Sequence, residues 1–209
     1  MLKFRLIIIL VFCLTGCGLN EGARNTELED YGDYLTQKVI DKLPGPRFIK
    51  LDKDLPSKVS KSLSEALTIL NLPLEEKYSI KDRFRPYNAL GVHDPAQSNG
   101  IIITVINYDK KGICADSLNP AYAELAHSQN GYELRLCYTK IISLQAIPSS
   151  SRSLGFECVL AHEIFHSDLY SHVSDITGCR LMCAKPTLCD ISPQALNLWS
   201  KFVLPHISK

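Results

Sequence analysis

His162-Glu163-Ile164-Phe165-His166 is followed, after Ser167-Asp168-Leu169-Tyr170-Ser171, by His172. On a helix, residues four apart stand one above the other on a single face, so His162 and His166 can aim their rings at one ion while Glu163 projects beside it. A tetrahedral catalytic metal needs three protein ligands and a fourth position for water. His172 supplies the third ligand if the helix ends just after His166. Working outward, Ser149 to Ser153 form a polar connector able to cap a site helix running from about Leu154 to Asp168. Downstream, Cys179-Arg180-Leu181-Met182-Cys183-Ala184-Lys185-Pro186 is a short, cysteine-flanked segment around one of only two methionines.

This arrangement resembles the metzincin metalloproteases, whose signature is His-Glu-x-x-His-x-x-Gly-x-x-His followed by a methionine turn. The resemblance implies that His162, His166 and His172 bind zinc, that Glu163 is the general base, and that Met182 lies in the methionine turn. It implies an α+β fold: a small, mostly parallel twisted sheet with an antiparallel edge strand, two long helices, and a C-terminal subdomain with the methionine turn and a terminal helix. The activity implied is hydrolysis of peptide bonds in protein substrates, with water activated by zinc and Glu163. Residues Ala184 to Thr187 would line the specificity pocket, and Ala184 stands where some relatives carry an assisting tyrosine. One position departs from the pattern. Leu169 occupies the glycine position, where a left-handed backbone would cost a leucine roughly 1–2 kcal/mol, so the chain must bear that strain or turn differently. The departure keeps open a second reading, a non-catalytic surface protein that binds protein ligands on a metzincin-like scaffold. A glutamate as third ligand, as in gluzincins, is disfavoured because no glutamate follows His172.

The start of the chain points to a compartment. Lys3 and Arg5 precede the apolar run Leu6 to Cys13, which is too short to span a bilayer and has the order of a secretory signal. Leu14-Thr15-Gly16-Cys17 then resembles a bacterial lipobox, implying cleavage before Cys17, lipidation of its thiol and a membrane anchor. Gly18, with no aspartate, favours the outer membrane by resemblance to Gram-negative lipoproteins. The expected location is the cell envelope, outside the cytoplasm. Removal of the two basic residues of the signal turns a formal charge of +1 into −1, which excludes nucleic acid as an electrostatically obvious partner. Of eight cysteines, Cys13 leaves with the signal and Cys17 is lipidated. The even six that remain, Cys114, Cys137, Cys158, Cys179, Cys183 and Cys189, read as disulfides in an oxidising compartment. Their crowding around both motifs suggests a bridge from the site helix to the methionine turn. A second, structural zinc held by cysteines fits less well, since Val173 stands where archaemetzincins carry a cysteine.

The organisation is a signal (residues 1–16), a polar, acidic tether (17–33) and one catalytic domain (34–209), expected to be monomeric. Arg47 to Leu51 alternates like a strand, and Leu55 to Leu70 carries Val59, Leu63, Ala66, Leu67 and Leu70 at helical spacing. Gly100 to Tyr108 reads as a buried central strand, and Ala121 to Ala126 with Tyr132 to Tyr138 as a hairpin around Ser128-Gln129-Asn130-Gly131. By resemblance the first hairpin strand is the sheet edge over the cleft, where a peptide could add as a further strand. Ser192-Pro193-Gln194 caps a terminal helix with Ala195, Leu196, Leu198, Trp199, Phe202 and Val203 on its apolar face. His93, His127 and His206 read as ordinary loop or surface residues. Asp175 reads equally as a turn former or as an acceptor orienting a histidine ring.

Overall fold

The computed structural model describes residues 45–87, 100–109, 111–115, 122–129, 131–145, 155–169, 172–173, 180–183 and 188–207. The signal, Cys17, the tether, His93, Asp175, Cys179 and Ala184 to Thr187 lie outside them. Five strands form one mixed sheet: β1 (Arg47–Leu51), β2 (Phe84–Pro86), β3 (Ile101–Asn107), β4 (Ala123–Ser128) and β5 (Gly131–Leu136), in the order β2-β1-β3-β5-β4. All neighbours run parallel except β4, which pairs antiparallel with β5 at the edge. The expected α+β architecture, a mostly parallel sheet with an antiparallel edge strand, is therefore observed.

Period-two alternation places Ile101, Ile103 and Val105 of β3 and Tyr132, Leu134 and Leu136 of β5 in one buried cluster with residues of the long helix α1 (Ser57–Tyr78) and the site helix α4 (Phe156–Phe165). Two short helices, α2 (Gly112–Ala115) and α3 (Tyr138–Gln145), and a C-terminal pair, α5 (Pro193–Phe202) and α6 (Leu204–Ile207), complete the described fold. Gly131 is obligatory. Its φ is +143°, and a Cβ there would stand 2.2 Å from the Ile102 carbonyl oxygen across the β3–β5 pair.

Several elements differ from their sequence reading. Helix α1 runs eight residues past Leu70, through Pro73, because Leu74 continues the buried stripe and Tyr78 stacks on Trp199 at 5.6 Å between ring centroids. Apolar packing outweighs the loss of one backbone donor. The helix ends where Ser79 turns left-handed at φ 59° and its N–H meets the Glu75 carbonyl. Strand β2 escaped notice because it is three residues long and contains Pro86. It is a closed edge: Asn71 of α1 accepts from Phe84 N–H at 3.0 Å and donates to its carbonyl at 2.8 Å, and Pro86 has no N–H to offer. The site helix begins at Phe156 with Gly155 as its N-cap and no side-chain cap, not at Leu154 under a serine. The terminal helix is capped as read, Ser192 Oγ accepting from Ala195 N–H at 3.1 Å.

These layers meet on one buried carboxylate. Asp168 Oδ1 lies 2.7 Å from Arg47 Nη2 of β1, while Arg83 grips both oxygens at 2.8 Å and Trp199 Nε1 of α5 donates to Oδ2 at 2.9 Å. Arg47, Arg83 and Asp168 are 0, 2 and 1% exposed. Burial alone would raise the Asp168 carboxyl, but the charges of Arg47 and Arg83, with the hydrogen bonds from Arg83 and Trp199, outweigh it and hold the group at about 2. Burial, with the like charge of Arg83, lowers Arg47 to about 10 despite Asp168. Asp168→Asn removes the carboxylate that both buried guanidiniums share and is expected to cost about 3–5 kcal/mol in urea unfolding at pH 7. Glu75→Gln, at the exposed Lys81–Glu75 pair, should cost less than about 1 kcal/mol. Because the folded Asp168 is depressed below its ordinary 3.8, its contribution is complete above pH 4 and disappears as pH falls towards 2. The stability gap between wild type and Asp168→Asn should narrow over that interval.

Candidate metal centre

Helix α4 is apolar on most of its surface, with Cys158, Leu160, Ala161, Ile164 and Phe165 buried, so it threads the core and carries His162 inward with it. It stops at Phe165. His166 occupies the C-cap at φ −59°, ψ −18°, and the next turn tightens, Ser167 N–H bonding to Ile164 O at 3.0 Å and Asp168 N–H to Phe165 O at 2.9 Å. Leu169 N–H then closes on Phe165 O at 2.8 Å. Among the described residues the non-glycine positions with positive φ are Ser79 and Asp82. Leu169 is not one of them. The strain considered for Leu169 therefore does not arise, and its side chain is buried in the core.

The turn delivers His172 to the other two histidines. His166 Nε2 is 3.1 Å from His162 Nε2, and His172 Nε2 is 3.3 Å from the same atom. One ligand atom from each of the three lies within 4.8 Å of the others. His162 is buried, His166 half-buried and His172 exposed, so the cluster opens to solvent on the His172 side.

The far sides of two rings fix their proton positions. His162 Nδ1 meets the Leu181 carbonyl, and His166 Nδ1 meets the Leu169 carbonyl at 3.0 Å. A carbonyl can only accept, so both Nδ1 atoms are donors, and in the neutral rings both Nε2 atoms present lone pairs. Two lone pairs facing each other at 3.1 Å repel unless a cation lies between them. For a tetrahedral ion bound at about 2.0–2.1 Å, neighbouring nitrogens stand about 3.3 Å apart, close to the two distances measured from His162 Nε2. The three histidines could therefore hold a metal ion. Burial lowers His162 to about 4, with the charge of His172 adding to it against the Leu181 hydrogen bond; burial also lowers His172. Neutral imidazoles are the form that binds metal.

Glu163 faces the edge strand. Burial, then the charge of Glu124 on β4, push its carboxyl up to about 8, against a hydrogen bond from the Leu125 backbone N–H. A bound dication would favour the carboxylate. Glu124 itself pairs with Arg135 of β5 at 3.0 Å.

Met182 is buried in the core, and its carbonyl accepts from Val173 N–H at 2.8 Å, immediately beside His172. The Cys158–Cys189 disulfide joins the site helix to the segment beyond Met182, as the cysteine spacing suggested, and Cys114–Cys137 joins α2 to the end of β5. Cys183 is disulfide-bonded as well. His127 lies tilted against Tyr132, with ring centroids 4.8 Å apart, and His206 lies on α6, both apart from the cluster. An open groove of about 740 Å³ between α1 and β1–β2, reaching from Leu51 to Tyr87, contains none of the three histidines.

Sequence reasoning missed the Leu181 carbonyl, the Leu125 N–H and the Arg47–Arg83–Asp168–Trp199 cluster. Backbone groups leave no trace in residue type. Charged residues inside otherwise apolar segments, Arg47 and Asp168 above all, were the available signal. A scan against protein-family models finds no match, and a search of curated proteins finds none. In equilibrium dialysis, wild type is expected to bind one divalent ion per chain and His162→Ala or His166→Ala none. His172→Ala should bind more weakly, and undiminished binding there would exclude His172 as a ligand.

Proposed function

We propose that this chain is a zinc-dependent endopeptidase of metzincin type. The carrying observation is the pair of imidazoles whose Nδ1 atoms donate to carbonyls while their Nε2 lone pairs converge at 3.1 Å, with His172 completing the set. Three imidazoles with one side open to solvent suit zinc at a catalytic rather than a structural site. The mixed sheet with its antiparallel edge strand, the long helix and the site helix are compatible with a metzincin-like fold. Leu169, unstrained, gives no support to a scaffold without turnover.

His162, His166 and His172 would hold the ion. When bound, zinc supplies Lewis acidity, lowering the pKa of water and polarising a carbonyl. The protein's own residues do the rest. Glu163 lies next to the first ligand but outside the ligand set, so its carboxylate can accept the proton of the attacking water and deliver it to the departing amine. Leu125 N–H on β4 orients that carboxylate. Strand β4 is also where an extended substrate fits, because the register that bonds Tyr122 O to Cys137 N directs the backbone groups of Ala123 and His127, and the Leu125 carbonyl, away from β5. The opposite edge, β2, is closed.

The same proposal includes a lipid anchor at Cys17, an envelope location outside the cytoplasm, protein or peptide substrates and a monomeric state. Its support is the charged-then-apolar N-terminus, and disulfides among the described residues fit an oxidising compartment. No helix among the described residues is long and apolar enough to cross a membrane.

Glu163→Ala should lower cleavage of a denatured protein or peptide library by about 10²–10⁴-fold, with one zinc per chain still bound. Proteolysis by that variant at the wild-type rate would refute the assignment.

A further inference from the structure

We propose that the Cys158–Cys189 disulfide, with the Leu181–Met182 segment, is a brace that sets the three histidines to the metal. The inference rests on the metal-site reading above and adds a positioning element to it. Helix α4 fixes His162 and His166 relative to each other, but His172 comes from a separate segment. What joins them is a single dipeptide: the Leu181 carbonyl accepts from His162 Nδ1, and the Met182 carbonyl accepts from Val173 N–H beside His172.

That dipeptide is itself held from below. Leu181 N–H bonds to Asp190 O at 3.0 Å, Cys183 N–H to Arg180 O at 3.2 Å, and Arg180 pairs with the Asp190 carboxylate. Cys189, next to Asp190, is bonded to Cys158, which lies on α4 one helical turn before His162. The circuit therefore closes from the helix through the disulfide, Asp190 and Leu181 back to the ring of His162. Without the bridge, whose cysteines stand 31 residues apart, the segment carrying both orienting carbonyls is held against the helix by hydrogen bonds and apolar packing. Metal ligands lose affinity when their orienting partners loosen, typically by about 10- to 100-fold. The Cys114–Cys137 bridge touches none of these groups and is the internal control.

The test compares the full chain with Cys158→Ala/Cys189→Ala and with Cys114→Ala/Cys137→Ala, each at a temperature where its far-UV circular dichroism matches wild type. Zinc affinity is read by competition with a chromophoric chelator, and ligand geometry by the visible spectrum of the cobalt(II)-loaded protein. The first pair should lose about 10- to 100-fold in zinc affinity and lose tetrahedral cobalt intensity. The second pair should change neither. Linkage gives a reciprocal measurement on wild type that needs no variant to fold. A dithiol reductant passes two electrons and two protons to the two sulfurs and becomes its own disulfide. Bound zinc should move the potential of Cys158–Cys189 about 30–60 mV more negative, the same fold-change at about 30 mV per tenfold, and leave Cys114–Cys137 unmoved. Wild type that binds no zinc overturns this proposal together with the site reading. Zinc binding that is equal in wild type and the folded Cys158→Ala/Cys189→Ala chain, or a potential that ignores zinc, overturns the brace alone.

Discussion

A buried carboxylate held by two guanidiniums and an indole anchors the chain just where the helix bearing His162 and His166 has ended. Asp168 stands two residues beyond His166, at the point where the helix has stopped and the chain must turn towards His172. Its partners come from β1, from the residue before β2 and from the terminal helix. Arg47 also donates to the Ser167 carbonyl at 2.9 Å, and both arginines donate to Gly45 O at 2.6 Å, so the guanidiniums reach the backbone on either side of the pair. Buried ion pairs are not strong stabilisers against an apolar alternative. Their value here is geometric: a charge that can be satisfied in one arrangement only fixes the exit of the site helix.

A second layer of constraint acts on the rings themselves. Two backbone carbonyls, Leu169 O and Leu181 O, set the tautomers of His166 and His162. One comes from the turn that Asp168 anchors, the other from the segment around Met182. Leu169 is instructive in this light: its backbone is not left-handed, its side chain is buried and its carbonyl meets the His166 ring.

The parts of this molecule legible in the sequence are those written in periodicity and spacing. His162, Glu163 and His166 follow from helix geometry. The alternation in Ile101 to Asn107 and the hairpin around Gly131 follow from period-two patterning and turn chemistry. The bridge from Cys158 to the region after Met182 was foreshadowed by cysteine crowding, although its partner was not. What escaped depends on groups that residue type does not reveal. A three-residue strand containing Pro86 has too little pattern to detect, and α1 passes through Pro73 because tertiary packing outweighs a local breaker. The pairing of Arg47 with Asp168, more than a hundred residues apart, is created by the fold.

The most direct test of the account is X-ray absorption at the zinc edge of the zinc-loaded full chain. The account predicts three imidazole nitrogens and one oxygen at about 2.0–2.1 Å, with one imidazole lost in His172→Ala. A site with only two imidazoles, or one unchanged by His172→Ala, would contradict it.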